Sequence, residues 1–318
     1  MVDVLPHEKQ IQEYVKTIER LKKQNKGDGH FTQEIEDLEF KLAKLKEKVY
    51  ATLSAWERVQ ICRHPARPHT IDYIENICDE FEELAGDRTF AEDTALIGGL
   101  ATIGGIRCVL IGQEKGHDTD TRLHHNFGMM RPEGYRKAMR LMRLAEKFAL
   151  PVVSLIDTPG AYAVLECEER GQAWAIAHNL REMVSLETPI IVLVIGEGCS
   201  GGAIGIAMGD TVAMLEHAYY SVISPESCAS ILYKDPNRKN TAAGALRLNA
   251  EDVLAMDIID AIVKEPLGGA HHNPGETYAT VRQFLIDQWE LLKDIPIETL
   301  LERRYMKFRR MGAHQTTT

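Results

Sequence analysis

Seven residues, Gly196-Glu197-Gly198-Cys199-Ser200-Gly201-Gly202, follow the apolar run Ile190 to Ile195 and precede a short stretch that reads as a helix. A strand that passes through glycines into a helix leaves backbone N–H groups as free donors and lets another molecule approach the backbone closely. The helix N-terminus adds positive potential. The chemistry this suits is stabilisation of developing negative charge. Three readings of the segment compete. It is a tight strand-to-helix turn that needs small residues for packing. Alternatively, Gly196, Gly198 and Gly201 satisfy the dinucleotide fingerprint, with Glu216 at the end of the next strand, though the intervening helix is short. Thirdly, Gly198, Ser200 and Gly202 satisfy the elbow of a serine hydrolase, with Asp260 and His271 following in the right chain order. Acids and histidines are common enough for that order to arise by chance.

A second turn bears on the choice. Val152 to Ile156 is a buried-strand pattern running into Asp157-Thr158-Pro159-Gly160-Ala161-Tyr162. Two such turns on neighbouring strands aim N–H groups at one ligand from both sides, which is the geometry of an oxyanion hole and not of a dinucleotide cleft.

The elements that must position these turns are legible in outline. Ile11, Tyr14, Val15, Ile18 and Leu21 recur at helical spacing, and Ile35, Leu38, Leu42, Leu45 and Val49 do so after the interruption at 25–30, where Gly27 and Gly29 stand. Residues 1–50 therefore read as an arm of two amphipathic helices, packed either on its own domain or on a second subunit. Residues 51–318 form the main domain. Ala95 to Ile103, Gly104-Gly105 and Ile106 to Ile111 read as a β-hairpin. Pro132 opens a helix to Ala149 with Tyr135, Met139, Met142 and Phe148 facing inward. Further elements are a helix over Glu168 to Ser185, strands Thr211 to Leu215 and Tyr219 to Ile223, and a helical C-terminal portion. The class is α/β with helical extensions at both ends.

Composition bounds the function. With 44% hydrophobic and 26% charged residues the chain is expected to fold as a globular protein. Lys plus Arg total 37 against 47 Asp plus Glu, a net charge of −10, which argues against sequence-independent nucleic-acid or anionic-membrane binding. No signal peptide and no apolar run of ~20 residues is visible. Six scattered cysteines without a Cys-x-x-Cys pair predict a reduced, cytosolic protein with no structural metal site of its own. His271-His272 reads as structural, since adjacent side chains rarely converge on one ion. Trp174 and Trp289 read as packing residues.

Several long segments, in order along nearly the whole chain, closely resemble the carboxyltransferase α subunit of bacterial multi-subunit acetyl-CoA carboxylase. They are Trp56 to Gln60, Phe81 to Phe90 with Gly86-Asp87-Arg88, Asn126-Phe127-Gly128 with Arg131 to Ala138, Ile156 to Tyr162, Gly196 to Gly202, Ser221 to Ser230 and Glu265 to Pro274. The resemblance implies the crotonase fold, a spiral of ββα units, and a cytoplasmic enzyme of fatty-acid biosynthesis. It implies transfer of a carboxyl group from biotin on the biotin carboxyl carrier protein, charged by biotin carboxylase, to acetyl-CoA, giving malonyl-CoA. A β subunit bearing a zinc ribbon would hold acetyl-CoA, as α2β2, and no metal is expected in this chain. By the same resemblance, main-chain donors at Gly201 and Gly202 stabilise the biotin ureido oxygen. Gly160, Ala161, Gly198 and Ser200 line the site, and Arg131 and Arg136 favour anionic parts of substrate or carrier. Several of Arg131, Arg136, Lys137, Arg140 and Arg143 read instead as merely solvated or paired. The sequence departs from the family at Ala163-Val164-Leu165-Glu166-Cys167, where a Pro-Gly-rich stretch is usual; fewer glycines predict a stiffer loop with a carboxylate near the site. Cys199 stands where glycine is common.

Overall fold

The computed structural model describes residues 4–25 and 31–312, so Gly27 and Gly29 of the expected arm turn lie outside the described residues. A helical turn at Pro6–Glu8 leads into α1 (Lys9–Gln24) and α2 (Thr32–Ala51) of the arm. Their apolar stripes meet each other: Ile18, Leu21 and Ile35 form one cluster. Ile11 and Tyr50 instead pack on Ile61 of the main body. The base of the arm is thus held by its own chain. Excision of Met1 to Tyr50 is expected to strip that cover and lower the thermal midpoint, since burial of each large apolar side chain contributes about 1.5–3 kcal/mol. The far-UV dichroism of the α/β core should persist, and an unchanged melting curve would show the arm to be dispensable.

Beyond the arm, α3 (Ala55–Cys62) starts at a capping box in which Ser54 Oγ accepts from Glu57 N and the Glu57 carboxylate accepts from Ser54 N. There follow α4 (Thr70–Ile77), β1 (Glu80–Glu83), β2 (Leu96–Ile103), β3 (Ile106–Gln113), α5 (Thr119–His124) and α6 (Pro132–Lys147). Next come β4 (Val152–Thr158), α7 (Leu165–Glu169), α8 (Gln172–Val184), β5 (Ile190–Cys199) and α9 (Ser200–Ile204). The chain continues through β6 (Thr211–Leu215), β7 (Tyr219–Ser221), α10 (Pro225–Tyr233), α11 (Lys239–Leu246), α12 (Ala250–Ala255) and β8 (Ala261–Val263). It closes with α13 (Pro274–Leu292) and α14 (Ile297–Arg310).

The described strands form one sheet in the order β1-β2-β3-β4-β5-β6-β8, with β7 paired to the far end of β5. The β2–β3 hairpin turns at Gly104-Gly105, both with positive φ, as a two-residue turn requires. From β3 onward the pairing is parallel. Every residue of β4 and β5 is buried, as expected of central parallel strands covered by helices on both faces. Arg304, fully buried, locks α14 onto the sheet through Asp210 and the carbonyls of Met183, Leu186 and Thr188. No described helix is long and apolar enough to cross a membrane.

Four sequence expectations are corrected. The stretch Gly196 to Cys199 is the end of β5 and not a turn, because β4 and β7 offer it ladder partners on both sides. The helix expected over Glu168 to Ser185 is broken at Gly171, whose φ of 81° separates α7 from α8. The strand from Tyr219 ends at Ser221. Phe148 is 59% exposed, because α6 ends before it and Phe148 caps the helix instead of facing the core.

Candidate active site

The site grows from the carboxyl ends of β4 and β5. Their register is regular to Ile156↔Val194 and then jumps to Thr158↔Gly198, so β5 bulges against β4. The bulge admits the Asp157 carboxylate beneath β5. Its Oδ1 accepts from Glu197 N at 2.9 Å, and a Cβ on Gly196 would lie 2.3 Å from the same oxygen. Gly196 is a glycine because a carboxylate occupies the place of its side chain.

Two acids buried side by side need cations. Lys115 Nζ stands between them, 2.9 Å from Asp157 Oδ1 and 2.5 Å from Glu197 Oε1. His69 Nδ1 lies 2.8 Å from Asp157 Oδ2. Arg63 reaches Glu197 Oε2 at 2.7 Å and Glu226 at 2.6 Å, and the Tyr219 hydroxyl donates to Glu197 Oε2 at 2.5 Å. Burial works against ionising Glu197, yet Lys115 and Arg63 override it and hold the carboxyl down to about 2. Asp157 is likewise depressed: burial opposes its charge, and Lys115 and His69 outweigh burial. A depressed carboxyl contributes stability above its unfolded value of about 4.3, and that contribution is lost as pH falls through the folded value. The urea midpoint is therefore expected to fall between pH 5 and pH 2 more steeply in the parent than in Glu197→Gln. Parallel profiles would show that Glu197 is not part of the acid response.

Above this network the turns converge. The Gly202 Cα faces the Gly160–Ala161 peptide so closely that a Cβ would stand 2.4 Å from Gly160 C and 2.6 Å from Ala161 N. The Gly202 carbonyl accepts from Gln113 Nε2 at 2.8 Å and the Tyr135 hydroxyl at 3.3 Å. Between the turns opens a cleft of about 470 Å³, bordered by Pro159 to Ala163, Cys199 to Gly201, Val222 to Ser224, and Ile176 and Gln172 of α8. N–H groups in the first turn of α9 have no carbonyl four residues back within the helix to bond. Gly201, with only Ile176 Cδ1 at 3.5 Å from where a Cβ would stand, presents a bare backbone to the cleft. A larger apolar cavity of about 490 Å³ adjoins it and shares Ser200, Gly201 and Val222.

Of the residues singled out from sequence, Gly160, Ala161, Ser200 and Gly201 border the cleft, and Gly202 lies behind it against the opposite turn. Gly198 sits within β5, packed on Tyr220 and Val194, away from the lining. The Arg131 guanidinium lies 5.4 Å from the centroid of Tyr162, a lining residue. Arg136 is bound to Asp87 and Glu133, the fully buried Lys137 to Glu92, Arg140 to three carbonyls, and Arg143 to Glu146 and Glu182. The paired reading holds for these four. In the departing segment Ala163 lines the cleft, and the carboxylate there is Glu168, two residues beyond Glu166. Trp289 packs on the core, whereas Trp174 is 63% exposed and stacks on His178.

The serine-hydrolase and dinucleotide readings are overturned. Ser200 is exposed and adopts a φ of 58°, and its hydroxyl has no hydrogen bond among the described residues. Asp260 pairs with Lys307 and accepts from Val212 N at the opposite end of the sheet. His271 is stacked on His64, and neither ring nitrogen has a partner. Gly196 and Gly198 are strand residues, and Glu216 pairs with Lys264. What sequence reasoning missed is the buried ion network. Its signal was an acid at or next to the end of each apolar run, Asp157 directly after Ile156 and Glu197 two residues after Ile195.

The family model described as acetyl co-enzyme A carboxylase carboxyltransferase-like matches residues 4–312. An acetyl-coenzyme A carboxylase carboxyl transferase subunit alpha from Protochlamydia amoebophila is 62% identical over 98% of this chain and 98% of its own length. One from Chlamydia trachomatis serovar L2 is 58% identical over 100% and 98%. Among solved structures, the transcarboxylase 12S hexamer matches with a TM-score of 0.59 at 16% identity over 73% of this chain, which spans 43% of that one. The beta subunit of Pseudomonas aeruginosa geranyl-CoA carboxylase matches with a TM-score of 0.57 at 18% identity, covering 78% of this chain and 46% of that one. These structural likenesses establish the crotonase-like fold.

Proposed function

Because the chain belongs to the acetyl-CoA carboxylase carboxyltransferase α-subunit family, we propose that its cleft receives biotin carried on a partner protein while a β subunit presents acetyl-CoA across the junction. The observation that carries this reading is the contact of Gly202 with the Gly160–Ala161 peptide at the edge of a cleft floored by the bare backbone of Gly201. The fit is chemical: a ureido group asks for hydrogen-bond donors at its oxygen and apolar walls for its rings. The first turn of α9 supplies N–H donors, and Ile176, Val222 and Ile223 supply apolar wall.

Biotin, when bound, supplies the ureido group that carries the carboxyl and takes up charge as it departs. The chain's part is to stabilise that charge. The N–H groups of Gly201 and Gly202 donate to the ureido oxygen, fixed in advance by the Gly202–Gly160 contact, so no reorganisation is needed as charge develops. Water-excluding walls strengthen those bonds. Beneath, the Lys115–Asp157–Glu197 network sets the spacing of the strands from which both turns issue. The chain thus acts as an electrostatic half-site, its contribution carried by main-chain donors.

The test is reconstitution. Malonyl-CoA should form when the chain, a β subunit and carboxylated carrier are combined with acetyl-CoA, and should be negligible when any one is left out. Transfer by the isolated chain would overturn the dependence on a partner. No transfer by the complete mixture, with assembly verified, would overturn the proposed reaction.

A further inference from the structure

The first turn of the arm and the loop after β8 meet in a seam none of whose residues line the cleft. There Glu8, His271 and His272 bring a carboxylate oxygen and two imidazoles together, with all ligating atoms within 4.8 Å of one another. We infer that this seam is a binding site for a divalent transition ion of the zinc class, fastening the arm to the body.

Adjacent side chains rarely converge on one ion. Here the loop is bent by Gly268 and Gly269, at φ of 97° and 110°. A Cβ on Gly268 would stand 2.5 Å from His272 Cδ2 and 2.8 Å from the Tyr50 hydroxyl oxygen, and one on Gly269 would stand 3.2 Å from His271 Nδ1. Both rings fold back over bare backbone and come to lie with centroids 4.4 Å apart, inclined by 38°. His64 stacks on the outer face of His271 at 3.9 Å and fixes its plane.

One donor stands unused and the other two already face each other. Both nitrogens of His271 are buried without a hydrogen-bond partner, so a lone pair inside the seam is unused. Glu8 Oε1 lies 3.1 Å from His272 Nε2, and the same oxygen accepts from the Tyr50 hydroxyl at 2.7 Å. A hydroxyl bonded to a ligating carboxylate is the usual outer partner that orients it.

Bonds of about 2.0–2.2 Å to an ion place donors roughly 3–3.6 Å apart. The Glu8–His272 pair already has that separation, and His271 closes the rest by a small rotation of its ring. Two imidazoles and one carboxylate with a remaining position for water match zinc-type sites, whereas Mg²⁺ and Ca²⁺ prefer all-oxygen cages.

The test uses the full chain, stripped of metal by chelator and checked for retained fold. Co²⁺ is expected to develop the intense visible d–d bands of a four- or five-coordinate ion. Zn²⁺ should displace it at one equivalent and raise the thermal midpoint. Glu8→Gln/His271→Ala/His272→Ala should bind Zn²⁺ at least tenfold more weakly and lose the thermal shift. His272→Gln alone, which keeps a donor to Glu8 and so the seam, should also weaken binding at least tenfold. If the parent gives only the pale spectrum of hydrated Co²⁺, or if both variants take up Zn²⁺ as well as the parent does, the assignment is overturned.

Discussion

Gly202→Val is expected to lower kcat of the assembled enzyme by at least ~10²–10³, the loss typical of removing a preorganised oxyanion donor. The first added carbon alone would stand 2.4 Å from Gly160 C and 2.6 Å from Ala161 N. Both obstacles are backbone, so neither can swing aside, and the two turns must part. Gly201→Ala is the informative contrast. Its Cβ meets only Ile176 Cδ1, at 3.5 Å, so the fold should tolerate it while the methyl intrudes on the cleft and raises KM for the carrier. Ser200→Ala removes an exposed hydroxyl without a partner and leaves every backbone donor in place. Its cost should stay within ~10-fold, the scale of one modest hydrogen bond. Each variant is compared as an assembled complex with matching circular dichroism. Abolition of turnover by Ser200→Ala, with Gly202→Val nearly silent, would reverse the ranking and sink the oxyanion reading.

The contrast between those glycines shows what could be read from the chain and what could not. Periodicity located the central strands, because a run such as Ile190 to Ile195 can be stable only between two covered faces. The glycines of 196–202 were visible, but their several reasons were not. Gly196 makes room for a carboxylate from β4, Gly198 for Tyr220 and Val194, Gly202 for the opposite turn, and Gly201 alone is open to the cleft. Such distinctions depend on which chain lies opposite, which local spacing does not encode. The β5 extension escaped for the same reason: its partners β4 and β7 lie far off in sequence. Arg136 and Lys137 illustrate the converse. Positive residues on a helix near the site suggested anion binding, yet each is matched by an acid from the 83–92 segment. Glu8 and His272, 264 residues apart, could be brought together only by the fold.

The most consequential of these long-range encounters is Lys115 between Asp157 and Glu197, and Lys115→Met is expected to destabilise the chain by about 3–5 kcal/mol. The side chains involved are 14%, 2% and 8% exposed, so water cannot replace the lost ammonium. Arg63 still compensates Glu197 and His69 still bonds Asp157, but two carboxylates now face each other across the β4–β5 bulge. Like charges so placed raise one another's pKa. The variant's deficit should therefore shrink as pH is lowered from 7 towards 5, while the parent's stability is nearly flat over that range. Adding Glu197→Gln to Lys115→Met should recover part of the loss, whereas Glu197→Gln alone destabilises; the double-mutant cycle isolates the coupling. Activity offers a second readout. Asp157 is the residue just before the turn that carries Gly160, and Glu197 lies five residues before Gly202, so a widened gap displaces both walls of the oxyanion site together. The effect should fall on kcat more than on KM, because the apolar walls that hold the ligand come from α8 and the 222–224 segment, outside the network. Urea unfolding at pH 7 decides the matter: a Lys115→Met protein within about 0.5 kcal/mol of its parent behaves as a surface substitution would, and the buried-network account would then be wrong.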